Sequence, residues 1–178
     1  EHDLAVNDFR LDVETACREN PDVTLERWVP ESEFWTNADR ISYTHKDREK
    51  KRNIRPDGYF LLSTERLYLR YLLEIDRSTE DNPRFYREKI LPGLAYLRSD
   101  VYEERFGHRS GRWVVVTTGE RRMRNMLRQA RRAEAKGLFY FTTYERLSVD
   151  TLLFSPIWRR ADKDETVPLI FLDGDNAA

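Results

Sequence analysis

Three carboxylates carry the strongest chemical signal in this chain. Asp57 follows Pro56 at the start of an apolar run, and Glu74 and Asp76 lie two residues apart at the end of another. Read as strands, residues 56–62 (PDGYFLL) and 67–76 (LYLRYLLEID) are joined by a short turn at 63–66. Period-two alternation puts Glu74 and Asp76 on one face, and a hairpin brings Asp57 beside them. Three like charges that close repel unless protons or a cation intervene. An all-oxygen cluster suits a hard divalent cation, so Mg²⁺, with Mn²⁺ as a substitute, is the expected cofactor and Asp57, Glu74 and Asp76 its expected ligands. The competing reading is that these are acidic strand ends facing solvent.

Other chemistries lack support. The histidines, His2, His45 and His108, lie far apart without metal-ligand spacing. The single cysteine, Cys17, falls on the apolar stripe of a helix and reads as a core residue. It rules out an intrachain disulfide and a cysteine-rich zinc site. No nucleophile elbow and no glycine-rich phosphate loop occur.

Positive charge is concentrated in two segments, the first of them directly before Asp57. Residues 45–55 (HKDREKKRNIR) carry net +4, including Lys46, Lys50, Lys51 and Arg52. The stretch 119–136 carries net +5, including Arg121, Arg124 and Arg128. The whole chain is nevertheless near neutral, at −1 with 31 basic and 32 acidic side chains. A uniformly basic, histone-like protein is excluded, while local patches fit a phosphate backbone, and DNA is the expected partner. The alternative for both segments is a solvated face whose arginine stems cover apolar surface.

The elements that must position these groups follow from periodicity. Residues 3–19 form a helix with Val6, Phe9, Val13 and Cys17 on one stripe, and residues 23–29 form a first strand. Residues 31–55 read as a long charged loop with room for a short helix at 33–37. Residues 83–105 are helical with an interruption at Pro92-Gly93. Residues 113–118 (WVVVTT) form a buried strand. Residues 119–136 form a helix stopped by Gly137, and residues 138–144 a further strand. The order αβββαβαβ makes an α/β fold with a mixed central sheet flanked by helices. Residues 1–150 read as one domain, and 151–178, with an apolar run at 167–172 and an acidic end, as its C-terminal extension. Composition agrees: 39% hydrophobic and 12% aromatic residues argue for a packed core. With no apolar run near the ~18 residues of a membrane helix and no signal peptide, a reducing, cytoplasmic setting is expected.

Pro-Asp, a strand, then an acidic residue near the end of the next strand resembles the PD-(D/E)XK nuclease fold, whose core runs helix, three strands, helix, strand. A closer resemblance is to the replication-relaxation family of plasmid and mobile-element proteins. HDLAVNDFRLDV resembles that family's His-x-Leu-x-x-Asn-Asp opening. RPDGYFLL, LLEIDRSTE, a helix with Lys89 and Tyr96, and WVVVTT before an arginine helix follow in its order. The resemblance covers about residues 2–144. It implies Asp57 and Glu74 as metal-binding carboxylates. The motif's third position, normally lysine, is Asp76, which leaves Lys89 on the following helix as the candidate for the missing cation. The catalytic set is then Asp57, Glu74, Asp76 and Lys89, with Asn7 and Asp8 leaning toward the site. A winged-helix region ahead of Glu1, and replication or mobilisation proteins as partners, are further implications. The expected function is DNA binding with Mg²⁺-dependent phosphodiester cleavage, or else an inactive DNA-binding or protein-docking module on the same fold. RNA binding is weaker, because no ribonucleoprotein aromatic motif occurs.

Overall fold

A computed structural model describes residues 2–77 and 81–171. Residues 78–80 of the LLEIDRSTE stretch, Leu172 and the acidic end lie outside the described residues. Helix α1 (His2–Glu19) buries Val6, Phe9 and Val13 as its stripe requires, with Ala16 rather than the half-buried Cys17 completing it. Asn20 Nδ2 donates to the Ala16 carbonyl at 2.7 Å and helps end the helix. Strand β1 (Thr24–Pro30) follows.

Residues 31–55 are not a loop. They form helix α2 (Glu31–Thr36) and a hairpin of β2 (Asp39–His45) and β3 (Arg48–Ile54), paired from Asp39 opposite Ile54 to His45 opposite Arg48. The connecting Lys46 and Asp47 both have positive φ, the backbone of a two-residue hairpin turn. That turn usually announces itself with Asn-Gly or Asp-Gly, and here neither is present. Strand β3 (REKKRNI) buries only Ile54, so it has no apolar alternation to read. Asp39 ties the hairpin to the body, accepting from Arg105 Nε at 2.7 Å and from the Tyr96 hydroxyl.

Strands β4 (Gly58–Ser63) and β5 (Tyr68–Ile75) are antiparallel, with Gly58 opposite Leu73. Next come α3 (Asn82–Phe85), a π-helical turn (Tyr86–Ile90) and α4 (Leu91–Leu97). Pro92 does not interrupt this run. In an α-helix its ring would press on the Glu88 carbonyl; the wider turn, with Leu91 N–H bonded to the Tyr86 carbonyl, accommodates it. The break comes at Ser99, whose hydroxyl caps α5 (Asp100–Phe106). Strand β6 (Arg112–Thr117), helix α6 (Glu120–Arg132), strand β7 (Phe139–Thr143) and the short β8 (Arg159–Arg160) complete the order. Helix α6 stops at Arg132, before Gly137, because Glu134 turns the chain with positive φ. Gly137 serves close approach instead: a Cβ there would lie 2.3 Å from the Arg160 guanidinium.

The main sheet runs β1-β4-β5-β6-β7-β8, with β5, β6 and β7 parallel and the other neighbours antiparallel. The expected mixed sheet with helices on both faces is present. One face packs Tyr59, Leu72 and Val115 against the hairpin and helices α3–α6. The other packs Phe60, Leu73 and Val114 against α1 and the 147–171 segment, including Leu152 and Trp158. Burial on both faces explains the unbroken apolar run of β6. Among the described residues, no helix is long and apolar enough to cross a membrane.

Asp39→Ala removes the acceptor of the Tyr96 hydroxyl and of Arg105 Nε, leaving Arg105 with the Asn37 carbonyl. It is expected to lower stability by about 1–3 kcal/mol, read as a lower urea midpoint; an unchanged midpoint would mean that the hairpin is held without this anchor.

Candidate functional site

The β4–β5 register builds one corner of the site. Continued one residue beyond the Gly58–Leu73 pair, it places Asp57 opposite Glu74. Asp57 N–H donates to the Leu73 carbonyl at 2.9 Å, and Asp57 Oδ2 accepts from Ile75 N–H at 2.6 Å. A side-chain oxygen thus takes the place of a backbone acceptor where pairing ends. Alternation puts Asp57 and Glu74 on the face shared by Tyr59 and Leu72, toward the hairpin and α3–α6. Asp57, Glu74 and Asp76 are all buried.

Each of these carboxylates meets a cationic or cation-capable group from a different element. His2 Nε2, at the start of α1, lies 3.1 Å from Asp57 Oδ1. Lys89 Nζ, on the π-turn, lies 2.7 Å from Glu74 Oε1. Arg122, on α6, grips Asp76 with Nε to Oδ2 at 3.1 Å and Nη2 to Oδ1 at 3.0 Å, while Thr117 donates to Oδ2 at 2.6 Å. Burial pushes the Glu74 carboxyl up to about 7, against the opposing pull of the Lys89 ammonium. The hydrogen bond to Asp57 raises the His2 imidazole above its ordinary value.

The carboxylates open onto a cleft of about 550 Å³, whose cationic wall is formed by Arg52, Arg55, Arg77 and Lys89. Trp35 stands on the same cleft with the Arg55 guanidinium 4.1 Å from its ring centre. Of the basic residues singled out from sequence, Arg52 lines the cleft and pairs with Glu88 at 2.8 Å. Lys46, Lys50 and Lys51 are exposed on the hairpin, and Arg121, Arg124 and Arg128 are exposed on α6 outside the cleft lining. Asn7 and Asp8 are exposed on α1; Asp8 lines a neighbouring groove with Asp12.

Two residues of the site carry no spacing signal. His2 sits at the cleft, brought there by the start of α1, and Glu31 arrives from the first turn of α2, where its Oε1 accepts from Trp35 Nε1 at 2.8 Å. His2, Glu31 and Asp57 each offer a ligand atom, all within 4.8 Å of one another. Among the described residues, Glu74 Oε2 is buried without a hydrogen-bond partner. A divalent cation fits the His2, Glu31 and Asp57 donors, where the neighbour of Asp57 Oδ1 is His2, itself a ligand type, and the unmatched oxygen of Glu74 belongs to the same cleft. Asp76 is instead held by the Arg122 guanidinium and Thr117.

In comparisons with known proteins, a family profile described as replication-relaxation matches residues 1–104 of the 178. Neither a curated protein nor a solved structure matches the chain.

The raised Glu74 carboxyl has a stability consequence. Unfolded, it titrates near its ordinary 4.5; folded, at about 7. Between those pH values the folded state binds more protons, so stability falls as pH rises through the window. In cation-free buffer the melting temperature of the wild type is expected to decline relative to Glu74→Gln between pH 4.5 and 7. Parallel profiles for the two proteins would mean that burial does not strain the ionised Glu74.

Proposed function

The chain belongs to the replication-relaxation family, and we propose that it acts on DNA in the replication or mobility of a plasmid or other mobile element, with the cleft as a nuclease-like, cation-dependent phosphodiester-cleaving site. The observation that carries this reading is the Lys89 ammonium 2.7 Å from buried Glu74, beside Asp57. Paired carboxylates with an adjacent ammonium are the set that PD-(D/E)XK-type hydrolysis requires, and here the ammonium comes from the helix rather than from position 76. The element order also supports that fold: a helix, three antiparallel strands β1-β4-β5, helices, then β6 parallel to β5.

Asp57 and Glu74 would hold Mg²⁺ or Mn²⁺. When bound, the cation lowers the pKa of a water and offsets phosphate charge. The chain's own residues supply the rest. Lys89 orients Glu74 and adds positive charge where negative charge develops on the phosphate. Arg52, Arg55 and Arg77 on the cleft wall meet the backbone. Asp76 positions Arg122 and α6. Replication or mobilisation proteins are the partners this role implies. A second reading, an inactive DNA-binding or docking module, is favoured by one observation, the aspartate at position 76.

Glu74→Gln and Lys89→Ala are each expected to reduce Mg²⁺- or Mn²⁺-dependent nicking of plasmid DNA by about 10²-fold or more, with DNA binding retained. Wild-type protein that nicks neither supercoiled, linear, branched nor single-stranded DNA would leave the inactive module as the reading.

Binding has its own test. Changing Lys50 and Lys51 together to alanine is expected to reduce the log–log salt slope of duplex affinity by about 0.9 for each phosphate that is no longer neutralised. An unchanged slope and affinity would remove the hairpin from the interface.

A further inference from the structure

We infer that the cation site of this cleft is completed by His2 and Glu31, so that it is a mixed nitrogen and oxygen site for a first-row transition metal of the Mn²⁺ class rather than an all-oxygen Mg²⁺ site. The inference rests on reading the cleft as a cation site, and it adds two ligands drawn from outside the strand hairpin.

Geometry comes first. Ligands bonded at about 2.1 Å in an octahedron sit about 3.0 Å apart when adjacent and about 4.2 Å apart when opposite. His2 Nε2 and Asp57 Oδ1 are 3.1 Å apart, already an adjacent edge. The Glu31 ligand atom lies no farther than 4.8 Å from either, close to the span of one coordination shell. The three groups come from the start of α1, the first turn of α2 and the residue before β4, so tertiary structure brings them together.

Satisfaction of polar groups points the same way. Glu74 is 8% exposed, and its Oε2 is buried without a partner on the same cleft. The Lys89 ammonium meets the other oxygen, Oε1. A buried acceptor without a donor calls for an ion or an ordered water. Trp35 Nε1 holds Glu31 Oε1, the kind of outer contact that fixes a ligand's orientation. An imidazole among carboxylates moves the site away from Mg²⁺, and the carboxylate majority then favours Mn²⁺ among the first-row ions. Nitrogen donors favour first-row transition metals, whereas Mg²⁺ prefers oxygen and retained water.

The test uses the chain, MnCl₂ and no DNA. Pulsed electron paramagnetic resonance of the Mn²⁺-loaded wild type is expected to show ¹⁴N coupling from one imidazole. His2→Ala is expected to lose that coupling and to weaken Mn²⁺ by about tenfold or more, while Mg²⁺ affinity changes far less. Glu31→Gln, a variant off α1, is expected to weaken Mn²⁺ but keep the coupling, with circular dichroism checking that both variants fold. Absence of ¹⁴N coupling in the wild type, or Mn²⁺ affinity unchanged in both variants, overturns the inference. Nicking by a wild type that lacks the coupling would sink this ligand set and spare the nuclease reading. Coupling without any nicking would do the reverse.

Discussion

Three carboxylates crowded into one buried corner must each be given a compensating charge, and the packing around that corner is organised by how this is done. Asp57 receives His2 from α1, Glu74 receives Lys89 from the π-turn, and Asp76 receives Arg122 from α6. None of these partners lies on the sheet that carries the acids. The ion pairs therefore act as ties between layers as well as compensation. Removing one partner of a buried pair strands a charge, and the cost of that exceeds what the pair itself contributes. Glu74 is the least compensated of the three, since burial outweighs the help from Lys89 and one oxygen goes unmatched. Its neighbours have both carboxylate oxygens occupied.

The π-turn connects backbone geometry to this charge balance. A proline at position 92 would break a regular helix one turn after Glu88. Widening the turn keeps the helix continuous and carries Glu88 and Lys89 on consecutive residues at the cleft. Glu88 gathers Arg52 and Arg84, while Lys89 takes Glu74. One local irregularity thus joins the hairpin wall to the carboxylate corner. Single-turn π segments recur at functional sites because they re-aim side chains without ending the helix.

What can be read in the sequence follows from which signals are local. The β4–β5 hairpin and the shared face of Glu74 and Asp76 depend on period-two alternation, and both are visible in PDGYFLL and LYLRYLLEID. The hairpin at residues 39–54 is hidden because β3 is almost wholly exposed and its turn is built from Lys46 and Asp47, which carry no turn signature despite their positive φ. Pro92 misleads because its usual effect on a helix is absorbed by the turn before it. Glu31 carries no motif at all, and His2 only the His-x-Leu-x-x-Asn-Asp opening, which does not say what it meets. His2 and Glu31 lie 55 and 26 residues before Asp57 in sequence and approach it only through where α1 and α2 begin.

The aspartate at position 76 and the lysine at position 89 are best understood together. Position 76 faces Arg122 and Thr117, and Arg122 also donates to Asn82 Oδ1 at 2.9 Å, at the start of α3. A lysine at position 76 would set ammonium against guanidinium in a buried setting and release the tie between α3 and α6. The positive charge that the corner needs beside Glu74 therefore has to come from elsewhere, and the π-turn provides it. Swapping Asp76 alone would leave two cations facing each other at position 76 and still leave Lys89 beside Glu74. Charge at this corner is divided between two elements, and Arg122 holds the division in place.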